Sequence, residues 1–265
     1  MFFTRRTRTE TSTAIDIPDT NLREALNKEL GQPSDAPITA SQMASFPRNI
    51  DLHSRRISNL EGIQHAVNAG GLQLADNDIS SLTPLATMTW LLRLDLSRND
   101  VTDLSPLTNL TTLGIVNVSK NQITSLEALR NAAEALVFFT ADDNDITDLS
   151  PLSGMKYLRS LSLDRNAVTD LGPLSSVASL KHLHIDGNQI TTREPLAAVP
   201  DLWSLSIDDN RIVSVAALAE QKRLSVLSLL GNRIDDLSPV RDLPLLQIFD
   251  VDALSDPADP SPVTS

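Results

Sequence analysis

The chain has 265 residues, 41% hydrophobic but only 3% aromatic, with Lys+Arg 22 against Asp+Glu 34 and a net charge of −12. That length can bury a core and that apolar content is not that of a disordered polymer, while the acidic balance argues against a nucleic-acid phosphate binder and against docking on anionic lipid. Cysteine is absent, which removes disulfides, thiolate catalysis and cysteine-type zinc sites, and no apolar run approaches the roughly 20 residues of a membrane span.

In chain order, residues 1–14 come first. Met1-Phe2-Phe3-Thr4-Arg5-Arg6 has the charge of a secretion-signal start, but polar Thr9-Glu10-Thr11-Ser12-Thr13 follows where an apolar stretch would be needed. A flexible tail and no signal is therefore expected. Residues 15–48 are predicted to form a helical N-terminal cap. Leu22, Ala25, Leu26 and Leu30 make an apolar stripe at helical spacing, with Asp19 placed as N-cap and Gly31 closing the helix. Thr39-Ala40-Ser41-Gln42 has the capping-box pattern and opens a second short helix through Met43 and Phe46. Leu22 and Leu26 are expected to be buried against the first strand, at Ile50 and Leu52.

From 49 to 254 the chain repeats. Asn77, Asn99 and Asn121 lie 22 apart, Asn144 follows 23 later, and Asn166, Asn188, Asn210 and Asn232 resume the spacing of 22. Around each runs the pattern L-x-x-L-x-L-x-x-N-x-I-x-x-L-x-P-L, as in Leu91, Leu94, Leu96, Asn99, Val101, Leu104, Pro106, Leu107, Leu110. This is a leucine-rich-repeat signature. L-x-L is a short strand with alternate side chains buried, and the Asn closes it by bonding turn backbone, so the eight asparagines form a structural ladder. Pro84, Pro106, Pro151, Pro173, Pro195 and Pro239 disfavour a long helix in the return limb. The predicted fold is an α/β repeat: a curved right-handed leucine-rich-repeat solenoid with a parallel concave sheet, a 3₁₀ or extended convex side and the helical cap.

Departures from the pattern mark local features. Ala132-Ala133-Glu134-Ala135 absorbs one extra residue, expected as a convex bulge. Arg193 replaces Leu in a return limb, Ala141 replaces Leu in a strand, and both are expected weak points. Arg55 replaces Asn in the degenerate first unit. The last, partial unit runs Leu246, Phe249, Val251, leaving that edge frayed or covered by something outside the chain. Residues 255–265 are Pro-rich and polar, and are expected to be disordered.

Alternation within the strands puts repeat positions three, five and seven on the concave face. Position three reads Arg93, Ile115, Phe138, Ser160, His182, Ser204, Val226, Ile248. Ile115 with Phe138, and Val226 with Leu230 and Ile248, make two apolar islands, with Trp203 at a strand entry between them. Apolar islands on a concave sheet point to a partner surface. Position seven gives Asp142, Asp164, Asp186 and Asp208. These read either as a ladder for cations or a basic partner, or as aspartates accepting turn N–H groups. His182 and His184 share one face of a strand and read as polar surface histidines in preference to a metal site. No catalytic constellation, phosphate loop or pocket signature appears, so no enzyme, cofactor or metal is expected.

Three stretches carry a family resemblance: Ile17-Pro18-Asp19-Thr20-Asn21-Leu22-Arg23-Glu24-Ala25-Leu26, Ile57-Ser58-Asn59-Leu60-Glu61-Gly62-Ile63, and the D-L-S-P-L repeats. In these the chain, from about Ile15 to Val251, resembles the internalin family of bacterial leucine-rich-repeat proteins. The repeat is also similar to that of the nuclear regulatory subunit of type-1 phosphatase, but the cap favours the bacterial side. The internalin resemblance implies a secreted or cell-surface protein that binds a protein partner on its concave face; a complete chain without a signal would be cytoplasmic. Expected, then, is a non-enzymatic recognition module, monomeric, with a protein partner and neither nucleic acid nor membrane insertion. The alternatives are an intracellular regulatory scaffold on the phosphatase-subunit pattern and a divalent-cation-dependent adhesin.

Overall fold

In each L-x-L segment the middle side chain turns inward and its neighbours turn out, as the strand period demands. Ten such strands form: β1 (Asn49–Asp51), β2 (Gly71–Gln73), β3 (Arg93–Asp95), β4 (Ile115–Asn117), β5 (Phe138–Thr140), β6 (Ser160–Ser162), β7 (His182–His184), β8 (Ser204–Ser206), β9 (Val226–Ser228) and β10 (Ile248–Asp250). The computed structural model describes residues 13–191, 196–197, 199 and 201–252. The strands lie parallel, in sequence order, in one sheet. Their register never slips, so Arg93, Ile115, Phe138, Ser160, His182, Ser204, Val226 and Ile248 stand in one row. The inward residues from Ile50 to Leu227 are at most 2% exposed. The result is the expected curved right-handed solenoid.

The return limbs are short 3₁₀ turns, and proline sets where they begin. Thr83–Thr87, Ser105–Leu107, Ser150–Leu152 and Gly172–Ser176 each carry proline in the first turn, where its fixed φ fits and its missing N–H costs nothing. Pro239 opens a single α-turn, Ser238–Arg241. The extra residue near 132 is not a bulge. It lengthens the 3₁₀ turn Glu127–Ala132 to six residues, and the Leu136 N–H then reaches back to the Ala132 carbonyl. Ala141 is fully buried two residues after Phe139, the bulkiest fully buried side chain. The pair shares one face of the strand, so the large ring offsets the volume the alanine gives up. Arg193 and the segment 255–265 lie outside the described residues, as does the N-terminal segment up to residue 12.

Asparagine ties each turn to the one before it. The amide of Asn99 donates to the carbonyls of Leu74, Leu96 and Ser97, while its oxygen accepts the Ile79 N–H at 2.9 Å. The same four bonds recur at Asn121, Asn144, Asn166, Asn188, Asn210 and Asn232. Asn77 does likewise with the first unit, and its oxygen accepts from both Arg55 N and Ile57 N. The residue before each asparagine is left-handed. Asp76, Arg98, Lys120, Asp143, Arg165 and Asp209 all have φ between 49° and 58°, and Gly187 and Gly231 fill the same column.

Two helices close the N-terminal end of the core, α1 (Thr20–Glu29) and α2 (Ala40–Ala44). Asp19 caps α1 by accepting the Leu22 N–H. Its other oxygen accepts Ser58 N, Asn59 N and Ser58 Oγ, which ties the cap to the first repeat. Burial pushes this carboxyl up, but the four donated bonds outweigh it and hold its pKa below the ordinary value. Thr39 and Gln42 form the reciprocal capping box of α2, and Ala14 pairs with Thr39 in an antiparallel bridge. Leu22 and Leu26 are fully buried in one continuous core with Ile50 and Leu52. At the other end β10 pairs only with β9 among the described strands, and Leu246 and Phe249 are only partly buried.

Candidate functional site

The concave sheet presents side chains in rows that cross the strands. In the row that opens each strand, Ile115, Phe138 and Ile248 are exposed and Val226 is half-buried. Phe138 is 46% exposed, although its neighbour Phe139 is buried in the core. Trp203, 47% exposed, stands one residue ahead of β8, and the His182 ring meets it edge-to-face at 6.1 Å. Leu230 is exposed beyond β9. His184 is exposed on the same face as His182. Among the described residues no group of three or more His, Asp or Glu side chains is placed to hold a metal ion.

Among the described residues, two hollows on this face share Phe138 as a wall. The first, ≈ 440 Å³, has Arg93, Ile115 and Phe138 around a floor that includes Asn49, Gln73 and Asn117. The second, ≈ 490 Å³, lies between Phe138 and Trp203 and is lined by Arg159, Ser179, Lys181 and His182. Lys181 is ion-paired to Asp201 at 2.7 Å, and Arg223 also reaches Asp201. Neither Arg93 nor Arg159 has an ion pair among the described residues.

The aspartate row is differently used. Asp142 accepts the N–H of Asp164, Asp164 that of Asp186, Asp186 that of Asp208, and Asp208 that of Leu230. Ser162, Ser206 and Ser228 add hydroxyl bonds to Asp142, Asp186 and Asp208. At Asp164 the corresponding position of the next strand holds His184, so the hydroxyl is missing. Burial raises the pKa of Asp164 first of all, with Asp186 and Asp142 adding repulsion. Burial also raises that of Asp208. These half-buried oxygens bond the frame itself, which is the turn-accepting reading of the row. One residue further, Asp143 grips the Arg165 guanidinium with two hydrogen bonds, and this holds the Asp143 carboxyl below its ordinary pKa.

Sequence periodicity identified the rows but not the hollows, which depend on side chains converging from repeats 22 or more residues apart. It also missed the buried amides. Asn27 is fully buried in α1 and donates to the carbonyls of Ser34 and Ala36. Gln221 occupies an apolar column and donates to Leu196 and Val199.

No protein-family model and no curated protein matches the sequence. Solved structures do. An internalin (inlF) from Listeria monocytogenes superposes with a TM-score of 0.78 at 26% identity, covering 93% of this chain and 80% of that one. Internalin C2 of the same organism gives 0.67 at 29% identity, covering 89% and 94%. A leucine-rich-repeat protein of Leptospira interrogans shares the fold at 0.71 and 21% identity, covering 78% and 54%.

Proposed function

We propose that this chain, an internalin-like leucine-rich-repeat protein, is a non-enzymatic recognition module that binds a protein partner on its concave sheet. The observation that carries this is the exposure of Phe138 and Trp203 on either side of a hollow in a sheet whose inward face is already filled. The frame does not need these rings. Their neighbours Phe139 and Leu202 do the packing, so the aromatic rings stand where a partner would cover them. Large aromatics in a hollow are the usual anchors of an interface. Ile115 and Arg93 extend the surface toward the cap, and Val226, Leu230 and Ile248 extend it toward β10.

Nothing in the geometry favours a cation-dependent adhesin over this reading. One oxygen of each of Asp142, Asp164, Asp186 and Asp208 accepts a backbone N–H from the next repeat, which is the role of a frame aspartate.

The test separates frame from surface. Phe138→Ala and Trp203→Ala should melt close to the parent, with losses well below the ~3–5 kcal/mol of a buried aromatic truncation. Each should weaken affinity for a purified partner by at least tenfold, which corresponds to about 1.4 kcal/mol. Parental affinity in both variants would move the binding surface off the concave sheet.

A further inference from the structure

The hollow between Phe138 and Trp203 has a charge opposite to that of the molecule. The chain carries 12 more acidic than basic residues, yet Arg159, Lys181 and His182 line this hollow and, among the described residues, no carboxylate does. The two cations are not equivalent. Lys181 is held by Asp201, and its side chain is only 22% exposed. Arg159 is exposed and, among the described residues, has neither ion pair nor side-chain hydrogen bond. It is thus an exposed guanidinium unpaired among the described residues, beside two aromatic rings that supply apolar walls. His182 packs against Trp203 through its ring and brings a second polar edge into the same space.

A guanidinium recognises a carboxylate through two parallel N–H···O bonds. Exposed aromatic walls accept an apolar or aromatic side chain next to it. A basic segment would instead bring its charge against Arg159 and Lys181, and the nearby carboxylate, Asp201, is already held between Lys181 and Arg223. Apart from Asp201, the carboxylates of these repeats on the concave face lie at the opposite ends of the strands, in the Asp164–Asp186–Asp208 row. That row is about 15–20 Å away, by ~3.3 Å per residue.

Resting on the concave-face reading, we infer that the Phe138–Trp203 hollow seats an acidic side chain, adjoined by an apolar one, from a peptide segment of the partner protein, with Arg159 as its counter-ion.

The probes are blocked pentapeptides of the form Gly-Glu-Phe-Glu-Gly, the same with Gln or Lys at both Glu positions, and sialyllactose as a glycan-borne carboxylate. Each is titrated into the ¹⁵N-labelled full chain, reading the indole N–H cross-peak of Trp203, assigned by its loss in Trp203→Phe. The Glu peptide should shift this peak saturably, at least tenfold more tightly than the Gln or Lys peptides. Arg159→Gln should weaken that binding at least fivefold and leave the melting temperature of the chain unchanged. A Lys peptide that binds as tightly as the Glu peptide, or an Arg159→Gln variant that binds like the parent, overturns the acidic assignment while the concave surface stands. Sialyllactose binding more tightly than the Glu peptide overturns the peptide as occupant. If no probe moves the Trp203 peak, the hollow is not the seat. Parental partner affinity in Trp203→Ala and Phe138→Ala would then show that the concave reading fails as well.

Discussion

Replacing Asn99 by alanine should be among the most damaging single changes in the frame that remove no apolar contact. Asn99 lies almost wholly buried between two repeats. Its amide satisfies the Leu74 and Leu96 carbonyls, and its oxygen satisfies the Ile79 N–H, all three in buried positions. Truncation leaves the buried Ile79 N–H without a partner and takes one of two donors from each carbonyl, since Asn77 still serves Leu74 and Asn121 still serves Leu96. The unsatisfied N–H costs about 1–3 kcal/mol and each of the two lost carbonyl bonds about 0.5–1.5 kcal/mol, so the total should be about 2–5 kcal/mol. Asn99→Asp should do no better at neutral pH. It keeps an acceptor for Ile79 but turns a carboxylate toward two carbonyls. The assay is urea unfolding followed by far-ultraviolet circular dichroism, with the m-value recorded beside the midpoint. In a repeat array a weakened interface can split the transition, and a fallen m-value would reveal it. Asn131, whose amide makes one exposed bond to Thr108, is the control and should cost less than about 1 kcal/mol as alanine. If Asn99→Ala costs no more than that control, the asparagine ladder does not hold the repeats together.

Leu26→Asp puts a charge at a fully buried site of α1 and should cost several kcal/mol; parental melting would show that the helices do not close the core. The carboxylates of Asp19 and Asp164 should respond to acid with opposite signs. The folded pKa of Asp19 is depressed, so its stabilisation is present above the unfolded value of about 3.9 and is lost as pH falls through the folded one. Asp19→Asn should therefore be less stable than the parent at pH 7, with the gap closing in acid. Asp164 has a raised pKa, so its favourable contribution is present below the unfolded value and lost as pH rises through the folded one. Asp164→Asn keeps an acceptor for the Asp186 N–H and should be at least as stable as the parent at pH 7, the difference vanishing in acid. Calcium should leave the parental midpoint in place, because a stabilising cation would have to bind the folded row.

The repeat was legible because its constraints recur at fixed spacing. A leucine, an asparagine and a proline, each in its own column, specify the strand, the tie and the 3₁₀ turn, and the solenoid follows. The Asp19 and Thr39 caps were legible for the same reason, since capping requires particular side chains at particular offsets. The left-handed column was not. Only Gly187 and Gly231 in it signal a positive φ, while Arg98, Lys120 and Arg165 adopt the same conformation because the asparagine bonds on the next residue impose it. The aspartate row was visible as a pattern, but its chemistry was not, because the receiving N–H lies one repeat later. Asn27 and Gln221 look like surface amides until the backbone carbonyls around them are seen. The hollows beside Phe138 are the least local feature, formed by residues that come together from repeats as far apart as Asn49 and Trp203.

The central claim is that a protein partner covers the concave sheet. Hydroxyl-radical footprinting of the full chain, with and without a purified partner, reads this directly. Phe138 and Trp203 are exposed on the concave side, while Val67 and Val213 are exposed outside the strands. The account predicts that oxidation of Phe138 and Trp203 falls several-fold in the complex while Val67 and Val213 react as before. Protection of Val213 with Phe138 and Trp203 still fully reactive would contradict it.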